Sequence, residues 1–508
     1  MKKKLLVYLL GFSLICSTGC GSRSGDRVLV SKYLYDSGTG SPQRFDVVVF
    51  RFPNEPIENG VPTNYIKRLL GLAGETIAIF MGQLFVLPPD TIDYPVPKTP
   101  DGKIANELNW WHPEHQHVDN DKAIALFRKD ATLFASDKNQ FQIIRKPPSV
   151  MLAMRRIVYD NDHQAEDLKG HLPPRWASEK GVASWTTFDK TGFANDGSND
   201  TMQWLRYRHI LRPSNWDTVT PNDKKPQLIT DFLGYNSHVT TGFRDRPYFG
   251  SNWVGDLMLE FELEVESTDG TTVVELRQGV DRFQARFDLS DGTCQLVRLS
   301  DPNDAKEVVE TPLDSKEKVL KGAGKYRIRF ANFDHRLTLW VNGSLVFGHG
   351  VDYAPPYRYD ATTEKWVNTG PTTDDLEPAS IGSLGGAIKV GHIKLWRDTY
   401  YIRTHKHVDR QMGRKSRELK YDYDVDNVKG IRGSGLLNEQ FWRTPAEWDE
   451  YNDIGVTTLY VQKGHLLCLG DNSPESADSR SWGLVPKRLM LGRALVVYWP
   501  FMRAGFIR

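Results

Sequence analysis

The sequence predicts a mainly β protein: a small β fold split between the two ends of the chain, with a large β-sandwich of jelly-roll type inserted between the halves. Three observations carry this. Short apolar or alternating runs bounded by Gly, Pro, Asn and Asp recur throughout, in a chain of 508 residues with 42 Gly, 28 Pro and 11% aromatic residues. Strand-like runs of one texture lie near both ends, such as Asp46–Phe50 and His465–Leu469. Between them, the alternating run Leu257–Val265 and the hairpin signal Asn342-Gly343 mark a sheet with one apolar face. At roughly 150 residues per domain the length suggests about three. With 39% hydrophobic and 25% charged residues, the bulk is globular rather than disordered or polytopic. A balance of 65 Lys+Arg against 64 Asp+Glu gives no electrostatic case for a nucleic-acid partner. Four cysteines exclude a disulfide-dense scaffold, and Cys294 and Cys468 are expected as buried free thiols.

The N-terminus sets the compartment. Lys2, Lys3 and Lys4 precede the apolar stretch Leu5–Cys16, as in an export signal. That stretch is shorter than the roughly twenty residues of a transmembrane helix. Ser17-Thr18-Gly19-Cys20 follows and resembles a bacterial lipoprotein cleavage box, in which the Cys becomes the lipidated first residue, although Ser17 stands where that box has Leu. Three outcomes stay open: a lipoprotein starting at Cys20, an uncleaved membrane anchor, and a plain secretory signal. All three place the body in the cell envelope, beside the membrane on its extracytoplasmic side.

Strands follow in order. Arg27–Lys32 is short, and Asp36–Pro42 is a turn cluster. The β-branched run Asp46–Phe50 suits a strand buried on both faces. Tyr65–Leu72, Thr76–Phe80 and Leu84–Leu87 come next, with Gly82-Gln83 as the last turn. At the other end, Thr458–Gln462, His465–Leu469 and Arg493–Tyr498 complete the split fold.

Several of these runs belong to longer motifs. Gly25-Asp26-Arg27-Val28-Leu29-Val30, Arg44–Phe50, Asn64–Glu75 and the block Gly470–Pro486, which reads GDNSPESADSRSWGLVP, resemble successive motifs of type I signal peptidases in order and approximate spacing. The last block is the most specific. The resemblance implies a signal-peptidase-type β fold that hydrolyses the peptide bond after a signal sequence, with a Ser nucleophile and a Lys general base. Free lysine has a pKa of about 10.4, so such a base must be lowered by burial. By motif position Lys67 is that base. Strand alternation turns it away from Ile66 and Arg68. Ser476 matches the serine whose hydroxyl positions the lysine amine, and Asp478 and Arg480 match a supporting ion pair. Gly470, Asp471 and Asn472 are expected to shape the turn into that loop.

The nucleophile is where the pattern departs. The family reads Ser-Met-x-Pro-Thr-Leu-x-x-Gly-Asp, and Ser17 is in register before Gly25-Asp26, but the Met, Pro, Thr and Leu are absent. Lipidation at Cys20 would remove Ser17. An uncleaved anchor would hold it at the membrane surface. Ser22 and Ser24 are off-register substitutes, and a chain without a working nucleophile is the remaining possibility. Ala73 stands where the family usually has Pro, and Phe45 where it usually has Gly.

The segments read as 1–24 signal, lipoprotein or anchor; 25–88 first half of the peptidase fold; 89–175 irregular insertion; 176–401 β-sandwich; 402–456 linker; and 457–508 second half. Ser149–Tyr159 is a helix or strand. The sandwich strands are Leu257–Val265, Thr272–Arg277, Arg282–Leu289, Tyr326–Phe330, Leu337–Val341 and Gly386–Trp396, which together resemble the concanavalin/laminin-G type. Trp340 and Trp396 fit core or sheet-face positions rather than a sugar platform. His112, His115 and His117 with Glu114, and His405 with His407, carry metal-ligand chemistry without matching further ligands and are read as loop residues. The loop Asp301–Asp304 is read as a solvated turn. No metal or cofactor is expected.

Two functions follow. One is a signal peptidase I-like serine endopeptidase acting on exported preproteins, with signal peptides and membrane lipid as partners. The other is a catalytically inactive lipoprotein that uses the peptidase scaffold and the sandwich to bind protein or glycan.

Overall fold

A computed structural model of the chain describes residues 26–36, 40–52, 63–94, 121–130, 140–165, 170–179, 184–211, 220–232, 239–241, 244–246, 250, 252–301, 308–403, 441–446, 448, 454–473, 476–499 and 504–507. Its two ends interleave. Val47–Arg51 pairs with Asn64–Gly71 on one side and with Met490–Trp499 on the other. Met490–Trp499 also pairs with Arg27–Ser31, so a C-terminal strand lies between two N-terminal ones. His465–Leu469 then extends the sheet from Asn64–Gly71. A second sheet repeats the interleaving, in the order Thr457–Tyr460, Thr76–Phe80, Gln83–Leu87 and Gln142–Ile143. Neither end of the chain can complete these ladders alone, which is why the family-like motifs of both ends converge.

The apolar runs fill two cores, one around Val48, Phe50, Leu69, Leu466 and Cys468, the other around Leu70, Ile77, Ile79, Leu467 and Leu469. The β-branched run is buried on both faces as expected, with Val48, Val49 and Phe50 all inside. One turn shifts by a residue. Gly82-Gln83 is the expected turn, but Met81 and Gly82 take the left-handed conformation (φ 52° and 77°) and Phe80 pairs with Gln83. This is a two-residue hairpin, and it draws Gln83 into the sheet and buries it.

The insertion is a sandwich. One sheet runs Ser344–Leu345, Arg336–Val341, Gly324–Ala331, Leu257–Val265, Ile388–Arg397, Gly192–Asn195 and Thr186–Phe188. The other runs Val309–Lys316, Cys294–Ser300, Asp281–Asp288, Thr271–Gln278, Ala379–Leu384, Gln203–Tyr207 and Trp176–Ser178. Leu259, Phe261 and Leu263 from the first meet Leu276, Phe283 and Phe287 from the second in one buried core. Asn342 and Gly343 both adopt positive φ (51° and 82°), the type I′ geometry that this dipeptide favours.

Ser149–Tyr159 is both of the alternatives. Pro148–Met154 is a helix, Arg156–Asp160 is a strand, and the strand pairs with Ile388–Arg397 of the sandwich. That helix corrects the expectation of one wet face on Leu257–Val265. Met151 packs with Met258 and Trp340, and Arg155 lies over the Trp396 ring at 4.0 Å. Glu260 is therefore buried, held by Arg155 (3.2 Å) and Arg329 (2.7 Å), whereas Glu262 and Glu264 are half-buried. Trp340 and Trp396 are packing residues, as expected. Cys294 and Cys468 are buried free thiols, and burial pushes both well above the usual thiol range.

Candidate functional site

Lys67 faces Val48 across the sheet, one residue before Arg68 pairs with Leu469. The chain leaves the ladder at Gly470, so the loop that follows passes beside the lysine. Its Nζ donates to Ser476 Oγ at 2.9 Å. Alternation puts Ile66 on the exposed side and Lys67 on the inner one. Desolvation holds the Lys67 ammonium below its ordinary pKa of 10.5. The Asp478 carboxylate opposes that fall, and the Arg480 charge adds to it.

Asp478 is not free to act as the lysine's counter-ion. Arg480 grips it through two bonds, Nε to Oδ1 at 2.9 Å and Nη2 to Oδ2 at 2.6 Å, and both side chains are buried. Burial opposes ionisation of Asp478, but Arg480 and the Gly470 N–H (3.0 Å) outweigh it and hold the carboxyl below the usual range. Asp478 also caps the short helix Ser479–Trp482 by accepting from the Arg480 N–H. The second face of Arg480 ties down Ser473 Oγ (2.7 Å) and the Ile402 carbonyl (2.9 Å).

Gly470, Arg68, Asp471, Arg156 and Phe45 carry more of this geometry than their sequence context indicated. Gly470 was expected only to shape a turn. A Cβ there would sit 1.9 Å from Ser476 Oγ and 3.5 Å from Lys67 Nζ, so glycine makes the room in which the two meet. Arg68 and Asp471 form a two-point ion pair (2.8 and 2.7 Å) that fixes the loop to the lysine's strand. Opposite charges in consecutive motifs were the only sequence signal for it. Arg156, from the insertion, donates to the Asp471 carbonyl at 2.8 Å. Phe45 holds φ 75°, a conformation that glycine adopts without strain, while its N–H donates to Leu69 O at 2.7 Å.

Lys67, Ser476, Asp478 and Arg480 thus converge on one face of the split sheet. Ser17, Ser22 and Ser24 lie outside the described residues, as do His112, Glu114, His115, His117, His405, His407 and most of the Asp301–Asp304 loop. No helix among the described residues is long and apolar enough to cross a membrane.

Comparisons with known proteins extend this picture. The sequence model of the family described as signal peptidase, peptidase S26 matches residues 18–117 and 397–499, beginning one residue after Ser17. A probable signal peptidase I-2 of Synechocystis is 38% identical over 72 residues, covering 14% of this chain and 30% of that protein. The mitochondrial inner membrane protease subunit 1 of Mus musculus is 40% identical over 81 residues, covering 16% and 43%. The chain therefore spans less than half the length of these relatives. A carbohydrate-binding module of Bacillus subtilis aligns with 44% of this chain and 92% of its own at 10% identity and a TM-score of 0.21, a similarity too low to argue from. The sandwich assignment rests instead on the strand order itself. The two matched segments are those whose strands interleave in common sheets, so the chain resembles the signal peptidase S26 family over its split β fold and carries the β-sandwich as an insertion between the matched segments.

Proposed function

We propose that the chain is a serine endopeptidase that cleaves signal peptides from exported preproteins at the extracytoplasmic membrane surface. The observation that carries this reading is the desolvated Lys67 amine, 2.9 Å from a neutral hydroxyl and without a direct carboxylate partner among the described residues. A neutral amine so placed accepts the proton of the serine nucleophile as its Oγ attacks the scissile carbonyl. The resulting ammonium returns the proton to the leaving amine, and water then hydrolyses the acyl-enzyme. Ser476 is the positioning residue that fixes the amine, and Asp478 with Arg480 supports the loop that carries it. Ser17 is the in-register nucleophile. Residues 25–88 and 457–508 form the catalytic unit, and the sandwich over 176–401 governs docking or access of the preprotein.

The test uses the full chain in membranes. Wild type is expected to cleave a preprotein with an Ala-x-Ala junction, and Lys67→Ala is expected to lose that cleavage. Equal cleavage by both would remove Lys67 as the base. A second reading follows from the missing Met, Pro, Thr and Leu after Ser17. In it the mature protein starts at a diacylated Cys20, lacks a nucleophile, and uses the scaffold and sandwich to bind protein or glycan. The mass of the mature N-terminus separates the two, because a Cys20 start eliminates Ser17.

A further inference from the structure

Far from Lys67 in sequence, a second group of ionisable residues lies where the insertion meets the split fold. Asp256, Asp334 and Asp398 are all buried, and each brings one carboxylate oxygen within 4.8 Å of the others. Lys146 donates to both oxygens of Asp334 (2.6 and 2.7 Å) and to Asp398 (2.7 Å). Asp256 accepts from Gln83 Nε2 (3.0 Å), Gln278 Nε2 (2.8 Å) and the Asp334 N–H (3.1 Å). These N–H groups spread the charge without cancelling it. One ammonium against three carboxylates leaves two negative charges when all are ionised, and buried charge of that size calls for compensation.

A separate observation says where compensation fits. Asp256 and Asp398 line a cavity of about 40 Å³ together with Gln83, His335, Tyr357 and Asn368. Gln83 Oε1, Tyr357 Oη and Asn368 Oδ1 have no hydrogen-bond partner among the described residues. Gln83 and Tyr357 are only 7% and 4% exposed, so these oxygens are hidden from bulk water. A buried acceptor left alone costs about 1–3 kcal/mol, and here three such acceptors belong to residues that line one cavity beside excess negative charge. Asp334 and His335 are both held in the left-handed region (φ 53° and 52°), a strained pair at the edge of the same cluster.

We propose that this cavity binds one hard divalent cation of the calcium class, through Asp256 and Asp398, with the Gln83, Tyr357 and Asn368 oxygens contributing to its shell. An oxygen donor set selects hard cations. Its spread over five separated positions in the chain suits the flexible, six- to eight-fold coordination of calcium better than the strict octahedron of magnesium. Two positive charges match the two left over by Lys146. The bound ion pins the hairpin Met81-Gly82 of the peptidase fold to the sandwich. It also pins the stretch from Asp398 to Ile402, whose far end is held by Ser473 and Arg480.

The test is calorimetric titration of the chelator-treated, full-length protein with calcium chloride, paired with thermal unfolding. One calcium per chain is expected to bind at about pH 7.5 and to raise the unfolding midpoint. Asp256→Asn is expected to abolish binding. Tyr357→Phe, which removes one oxygen and keeps the ring, is expected to weaken it about tenfold and decides the matter if Asp256→Asn does not fold. Absence of both heat and midpoint shift at millimolar calcium overturns the proposal, since protons alone then neutralise the cluster. Binding unchanged in the folded variants overturns it by placing the ion elsewhere, and magnesium binding more tightly than calcium overturns the calcium-class assignment.

Discussion

Lys67 and Lys146 are both lysines withdrawn from water, and their pKa values move in opposite directions. Burial alone lowers an ammonium pKa, and it acts on both. At Lys146 the effect is overcome, because Asp334 and Asp398 touch the amine directly and push it above the ordinary lysine range. At Lys67 the contact is a hydroxyl, and the nearby Asp478 is already committed to Arg480. Burial thus lowers a lysine only where the neighbouring carboxylates are occupied elsewhere. The Asp478–Arg480 pair matters to the chemistry because it keeps Asp478 away from the amine.

That contrast can be broken in several ways. The largest expected effect is on catalysis. Removing a general base costs about 10²–10⁴ in rate, so Lys67→Ala should lower preprotein cleavage by that order in a membrane assay while the unfolding midpoint stays close to wild type. In the wild type, cleavage should rise with pH as Lys67 loses its proton and level off below 10.5, the ordinary lysine value. A rate still climbing at that pH would mean that Lys67 is not lowered. Lys146→Met should act on stability instead. It strands Asp334 and Asp398 as uncompensated buried charges, and denaturant unfolding should show a loss of about 3–5 kcal/mol. An unchanged midpoint would show that the seam is neutralised without it.

Smaller effects sharpen the comparison. Ser476→Ala removes one hydrogen bond from the amine, worth about 0.5–1.5 kcal/mol, so kcat should fall roughly two- to tenfold with KM little changed. A pure KM effect would reassign Ser476 to substrate binding. Phe45 offers the smallest test. Phe45→Gly and Phe45→Ala lose the same ring, but only alanine keeps the strain of φ 75°. The glycine variant should be the more stable of the two by about 1 kcal/mol in denaturant titrations.

Much of the fold was legible because β structure announces itself locally. Leu257–Val265 reproduces its run residue for residue, and Asn342-Gly343 turns where it should. The motif block GDNSPESADSRSWGLVP carried Ser476, Asp478 and Arg480 to the vicinity of Lys67, more than four hundred residues away in sequence. What escaped depends on neighbours distant in sequence. Glu260 reads as a solvent-facing acid until Arg155 and its helix cover it. Gln83 reads as a turn residue until the hairpin shifts by one, and Gly470 reads as a turn former until Ser476 arrives beside it.

By itself, then, the sequence determined the strand runs, the hairpin, the two free thiols and the identity of the residues that gather around Lys67, because periodicity, turn chemistry and motif spacing are properties of neighbouring residues. Only the tertiary structure decided the direction in which each buried lysine's pKa moves and the existence of the acidic cavity at the seam. Desolvation and Coulomb energies depend on what lies within a few ångströms in space, and for Lys67 and Asp256 those neighbours come from the far end of the chain and from the body of the insertion.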